Sequence, residues 1–331
     1  MLEHGGRLLR AVAQYAIARE RWLDLSSGIA PWPYAVPSIP QEAWARLPET
    51  EDGLEQAART YYHADLLLAV AGSQAAIQAL PQLRAPGRVG VLTPCYAEHP
   101  HAWQRAGHRM VELADEQVDG AIDSLDVLVL VNPNNPTGRL IPRERLLAWH
   151  ARLAERGGWL VVDEAFIDNT PGLSLCGHVV DRPGLIVLRS FGKFFGLAGV
   201  RLGFVMAQPA LLQALAELLG PWTVSGPTRV LGKVCLADEL AHLMQIDRCA
   251  KARARLVALL GEAGLAPTGG CDLFQYVATE RAAQLHEFLA RRGILVRLFE
   301  QPAALRFGLP TNAAQEQRLR AALLDYQKES A

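Results

Sequence analysis

From Leu54 to Met206, short and almost wholly apolar runs alternate with segments in which apolar residues recur every three or four positions. LEQAARTYYHA (54–64) follows the helical period, LLLAVAG (66–72) is a continuous apolar run, and SQAAIQALPQL (73–83) returns to the helical period. The alternation continues through RVGVLTP, a helix over 101–106, RMVEL, VLVLVNP, a helix over 143–155, WLVVDEAF, LIVLRSF and VRLGFVM. Short strands that are apolar on both faces and separated by helices predict an α/β fold, a mostly parallel sheet with helices on both sides. Ligands on such sheets gather at the carboxyl ends of the strands. The polar residues fall there: Tyr96, Asn132, Asn135, Asp163, Ser190 and Lys193.

The flanks read differently. The first fifty residues hold HGG (4–6), a short helical stretch, and then WLDLSSGIAPWPY, rich in Pro, Gly and Trp, which predicts an extended segment packed over another surface. Beyond Pro221 come Arg- and Ala-rich helices over 228–263, a break at APTGG, strands at LFQYVA, ILVRLF and ALRFG, and a last helix from Asn312. These textures divide the chain into an extended segment (1–50) that packs with a small domain, a large domain (51–220), and that small α+β domain (221–331).

At 331 residues, half of them hydrophobic, the chain exceeds the size at which single cores stop growing, so two domains are expected. The 33 basic and 34 acidic residues are mixed throughout, which leaves no basic footprint for nucleic acid or an anionic membrane and favours small-molecule chemistry. The five cysteines are scattered, without the paired spacing or histidine clusters of a metal site, so no metal is expected. No apolar run approaches a membrane span and residues 1–21 lack a leader pattern, so the expectation is a soluble, cytoplasmic protein.

SFGKFFGLAGVRLG (190–203) concentrates the chemistry. A lysine in a tight apolar loop loses hydration and becomes a usable amine nucleophile toward an aldehyde, although the same stretch would suit a surface lysine in a glycine-rich turn. Asp163 ends a strand expected to be buried, where a carboxylate needs a cation or strong donor, and a protonated pyridine nitrogen is one. Asn135 offers an amide to a phenolate-like oxygen from a Pro-locked loop. Ser73, Ser190 and Arg201 offer hydroxyls and a guanidinium to a phosphate, and Gly72-Ser73 opens a helix whose amides favour an anion. Ser73 could equally be a plain N-cap, Arg306 a cation that snorkels from an apolar strand, and His4 a solvated histidine near the chain start. An aldehyde, a phenolate, a pyridinium and a phosphate together describe pyridoxal 5′-phosphate.

NPNNPTG (132–138), DEAFID (163–168) and SFGKFFGLAGVRLG resemble, in order and spacing, the three sequence blocks of the fold-type-I, class I and II aminotransferase family. The resemblance runs from about Gly72 to Gly203 and extends more loosely to both ends. It implies that Lys193 bonds the aldehyde of pyridoxal 5′-phosphate, Asp163 pairs with the pyridine nitrogen, Asn135 binds the ring hydroxyl and Tyr96 stacks on the ring. Gly72, Ser73, Gln74, Ser190 and Arg201 would hold the phosphate. Arg306, in LRFG, matches the arginine that receives a substrate carboxylate. A homodimer is implied as well.

Within the family, HGG, WLDLSSGIAPWPY and TEDGLEQAARTYY resemble the branch that decarboxylates threonine phosphate in cobalamin biosynthesis, a near relative of the histidinol-phosphate aminotransferases. Phe166 points the same way, because many aminotransferases carry a tyrosine there. By this resemblance the substrate is a small phosphorylated amino acid. His4, Gly5 and Gly6 would grip its phosphate, with Arg306 and Gly28 also on the substrate side. Two positions depart from the pattern: Leu47 stands where relatives send a tyrosine across the dimer, and Ala30 replaces an asparagine. The alternatives are an aminotransferase of the histidinol-phosphate type and, of a different class, a non-catalytic module that binds ligand on the same fold.

Overall fold

The computed structural model describes residues 4–330, so the first three of the residues 1–21 expected to lack a leader pattern lie outside the described residues. In chain order the strands are β1 Leu23–Leu25, β2 Leu68–Val70, β3 Arg88–Leu92, β4 Arg109–Leu113, β5 Val127–Val131 and β6 Trp159–Asp163. They continue with β7 Leu185–Ser190, β8 Gly203–Met206, β9 Gly269–Cys271, β10 Phe274–Ala278, β11 Ile294–Glu300 and β12 Ala303–Gly308. The chain groups into two compact units. The larger comprises Pro33–Asn135 and Leu140–Leu243; the smaller gathers the chain up to Trp32, Pro136–Arg139 and the chain from Met244 on.

These limits differ from the expected boundaries at 50 and 220, and the packing says why. Tyr34 donates from its backbone to the Phe195 carbonyl (2.9 Å) and from its hydroxyl to Asp238 (2.8 Å), which ties residues 33–50 to the larger unit. The helix Gly226–Ala237 packs on the helix Leu54–Tyr62, and buried Arg229 pairs with Asp52 (2.7 Å) and Glu55 (2.6 Å). A desolvated guanidinium requires such partners, and both lie in the larger unit.

The larger unit holds a seven-stranded sheet in the order β2-β8-β7-β6-β5-β3-β4. Strands β3 to β7 are parallel, and β8 runs antiparallel to both neighbours. Every residue of β5 is buried, as continuous apolar strands require when helices cover both faces. Ile77, Trp103, Val129, Val161, Ile186 and Val205 meet in one core. The register pairs Val131 with Asp163, Asp163 with Leu188, and Ser190 with Gly203, so the polar residues come out level at one end of the sheet.

The smaller unit holds a five-stranded sheet in the order β1-β11-β12-β10-β9. Part of the segment expected to be merely extended is strand β1, which pairs in parallel with β11 (Leu23 opposite Ile294); three residues are too few for a two-residue period to register. Arg297 on β11 lies opposite Arg306 on β12. Among the described residues no helix is long and apolar enough to cross a membrane, and no cluster of His, Cys, Asp or Glu could hold a metal.

Candidate functional site

Asp163 closes β6 and is buried, with 3% of its surface exposed. A carboxylate there must be satisfied by donors. Its Oδ1 accepts from the Ala165 amide (3.1 Å) and its Oδ2 from His99 Nε2 (2.9 Å), which fixes the imidazole proton on Nε2 because a carboxylate only accepts. His99 lies on the helix Glu98–Arg105 and is buried. Sequence reasoning did not single it out: EHPHAW carries two histidines, and only the fold aims one of them at β6.

Lys193 sits in the helical turn Phe191–Phe194 that follows β7. Phe191 and Phe194 are buried beside it, and its Nζ stands 5.7 Å from the centre of the Phe166 ring. Gly72 adopts φ +75°, in the left-handed region, and a Cβ there would come within 2.6 Å of Arg201 Nη2. The missing side chain thus lets a guanidinium close on the backbone at the start of the helix Ser73–Ala79. The cap position belongs to Gly72, and no side chain caps this helix, so the Ser73 hydroxyl is not spent as a cap. Arg201 is held from behind, its Nη1 donating to the Ala198 carbonyl (3.1 Å).

Asn135 rides a loop stapled at its base. The Ile141 amide donates to Asn132 Oδ1 (2.8 Å), Asn132 Nδ2 donates to the Ile141 carbonyl (3.1 Å), and Asn134 Nδ2 donates to the Pro94 carbonyl (2.9 Å). The Tyr96 hydroxyl donates to Gln74 Oε1 (3.1 Å), and Gln74 Nε2 donates to Glu98 (2.9 Å). Burial pushes the Tyr96 phenol up to about 12, so it stays neutral at working pH. Ser73, Gln74, Tyr96, Asn135, Asp163, Ser190, Lys193 and Arg201 line one cleft of about 130 Å³, with Phe166 in its wall. A roomier groove of about 610 Å³ elsewhere in the larger unit, beside Leu219 and Trp222, holds neither a lysine nor a histidine.

The residues expected on the substrate side belong to the smaller unit. Arg306, 7% exposed, stands 5.0 Å over the Phe274 ring and donates through Nη2 to the Ser26 carbonyl (3.2 Å). Burial, with the Arg297 cation nearby, pushes it down to about 10. The Gly6 amide donates to Ser26 Oγ (2.8 Å), while a Cβ at Gly5 would overlap the Ser26 carbonyl. Gly5, Gly6 and Arg306 therefore meet at Ser26, and half-buried His4 begins that segment. Gly28 is buried in the same loop, whose Ser27 carbonyl presses on Gly308 at the end of β12. Ala30 is buried. Leu47 belongs to the larger unit and is 63% exposed. Arg297 and Ser26 escaped the sequence reading. For Arg297 the signal was available, since ILVRLF places a cation in an apolar strand just as ALRFG does.

The model of the family "Aminotransferase class I and II" matches residues 40–323. The chain is 59% identical over 328 residues to the threonine-phosphate decarboxylase of Pseudomonas aeruginosa, covering 99% of each chain. It is 45% identical to the threonine-phosphate decarboxylase of a Sinorhizobium species, covering 97% of each. Its fold is similar to that of the histidinol-phosphate aminotransferase from Clostridium acetobutylicum, with a TM-score of 0.81 over 92% of this chain and 99% of that one, at 21% identity. An identity of that order speaks for the fold alone.

Proposed function

Within the class I and II aminotransferase family, to which this chain belongs, we propose that it is a pyridoxal 5′-phosphate-dependent carboxy-lyase. It converts L-threonine O-3-phosphate to (R)-1-amino-2-propanol O-2-phosphate and carbon dioxide, a step of cobalamin biosynthesis. The observation that carries this reading is the 59% identity, sustained over 99% of both chains, with a threonine-phosphate decarboxylase.

The residues of the cleft suit the cofactor chemically. The space left by the absent Cβ of Gly72 is a cradle beside Arg201, Asp163 is a buried carboxylate, and Lys193 has apolar neighbours. When bound, the cofactor supplies a sink for the electron pair left at Cα. In this reading Lys193 would hold the cofactor through its aldehyde, and its amine would return a proton to Cα. Asp163, steadied by His99, would keep the pyridine nitrogen protonated, and Asn135 would donate to the ring oxygen. Phe166 lacks a hydroxyl to share that bond. Tyr96 would pack against the ring, and Gly72, Ser73, Gln74, Ser190 and Arg201 would hold its phosphate.

The residues expected on the substrate side lie in the smaller unit. His4 and the Gly5 amide would take the substrate phosphate, beside a Gly6 amide already given to Ser26 Oγ; Gly28 would border it, and Arg306 would take the α-carboxylate with Arg297 adding positive charge. Holding both anionic ends of the substrate would fix the rotation about its Cα–carboxylate bond, which selects the bond that breaks. The test is to incubate the cofactor-loaded protein with threonine phosphate and no oxo acid. Carbon dioxide release is expected; amino transfer to an added oxo acid without carbon dioxide would replace this reading with the aminotransferase.

The homodimer belongs to the proposal. Val36, Trp44 and Leu47 are 57%, 63% and 63% exposed on the larger unit, an apolar exposure that a second copy would cover. An active monomer in sedimentation at assay concentration would refute it. Cytoplasmic residence belongs to it too, supported by five free cysteines, none in a disulfide.

A further inference from the structure

We infer that Ser26, oriented by Asp24, is a positioning residue that sets affinity for the phosphorylated substrate by fixing the Gly5–Gly6 backbone beside Arg306. The inference rests on the reading that this segment and Arg306 receive the two anionic ends of the substrate.

Ser26 follows β1 directly and is 3% exposed, yet each of its polar atoms is committed. Its amide and its hydroxyl both donate to Asp24 Oδ1, at 2.9 and 2.6 Å. A hydroxyl has one proton to give. With that proton held by Asp24, the lone pairs of Oγ are left to accept, and the Gly6 amide donates to them. The Ser26 carbonyl in turn accepts from Arg306 Nη2. One residue therefore grips the N-terminal segment through its side chain and the carboxylate-binding cation through its backbone.

Gly5 and Gly6 themselves carry no side chain by which to be held. At Gly5 main chain lies on main chain, since a Cβ there would overlap the Ser26 carbonyl, and Gly6 adopts φ +75° and is exposed. Two glycines give the backbone wide freedom, which a site must remove before binding if it is not to cost affinity. Ser26 is a suitable anchor because β1 pairs with β11 in the sheet that also carries Arg306. Packing alone would be served as well by alanine at this buried position. The hydroxyl is explained by what it orders.

The experiment uses the full-length, cofactor-loaded enzyme. Ser26→Ala keeps the carbonyl that holds Arg306 and loses the hydroxyl's two contacts, to Gly6 and to Asp24. It should raise KM for threonine phosphate about five- to tenfold, the equivalent of one hydrogen bond, and leave kcat within about twofold. Hydrogen exchange at the Gly6 amide, followed by mass spectrometry without substrate, should accelerate in the same variant. Asp24→Ala should reproduce both changes, and Asp24→Asn, whose amide oxygen accepts the same two bonds, should reverse them. Faster exchange with an unchanged KM would overturn the inference, as would unchanged exchange. Deleting residues 1–6 separates the two levels of argument. If the deletion raises KM and Ser26→Ala does not, the anchoring role of Ser26 fails alone; if neither raises it, the phosphate-binding reading of the segment fails and takes this inference with it.

Discussion

The cleft around Lys193 and the cluster around Ser26 are both suited to anions, and they are built by opposite means. In the cleft the working groups are side chains at strand ends, each braced by another side chain or a stapled loop: Asp163 by His99, Tyr96 by Gln74, Asn135 by the Asn132–Ile141 clasp. In the cluster the one charged group is a buried guanidinium, and the rest is glycine backbone braced on Ser26, through its hydroxyl to Gly6 and its carbonyl to Arg306. A site made of side chains announces itself by residue type. A site made of backbone leaves little more than glycine in the text of the chain, and its energetics depend on removing freedom rather than on adding charge.

Substitutions in the cleft should therefore destroy chemistry and those in the cluster should mainly weaken binding. The largest effect is expected for Lys193→Ala, which should abolish the visible absorbance of the bound cofactor and all carbon dioxide release. A surviving adduct reducible by borohydride would show that another amine does the work. Asp163→Asn should keep the cofactor, measured by its absorbance after gel filtration, and lower kcat by about 10²–10³-fold, because a neutral amide cannot hold the pyridinium proton. Turnover near that of the wild type would place the essential charge elsewhere.

Arg306→Met tests the cluster from the side of its one charge. Catalytic efficiency should fall by about 1.5–3 kcal/mol, the worth of a charge-assisted contact, through KM more than kcat. Stability should move the other way. The folded pKa of about 10 lies below the ordinary 12.5, so the charged form is disfavoured by folding. That penalty is complete below pH 10, where the group is charged in both states, and is relieved as pH rises from 10 toward 12.5. The methionine variant should therefore melt no lower than the wild type at pH 7, and its advantage should shrink above pH 10. A markedly lower melting point at pH 7 would mean that Arg306 is structural.

The smallest effect separates binding from chemistry inside the cleft. Gly72→Ala would force a left-handed φ on alanine and push back the Arg201 guanidinium. Strain of about 1–3 kcal/mol should appear as weaker cofactor affinity in an absorbance titration, with kcat nearly preserved at saturation. A loss confined to kcat would contradict the cradle reading of Gly72.

Much of the larger unit was legible because its signals are local. Apolar runs and helical periods mark β2 to β8, a parallel sheet puts their polar ends together, and Lys193, Asp163, Asn135 and Arg201 lie where those runs stop. Each residue type there answers one chemical need at short range, so the chain by itself determined the fold class, the family blocks and the candidates of the cleft. Tertiary structure alone decided the rest. His99 meets Asp163 across 64 residues, Gly6 meets Ser26 across 20, and Arg306 meets Ser26 across 280. The limits of the two units at 32 and 243 follow from Arg229 and Tyr34 finding partners far along the chain. No periodicity encodes such meetings. They follow from the register of two sheets, and register is a property of how strands pair, which no single strand carries in its own sequence.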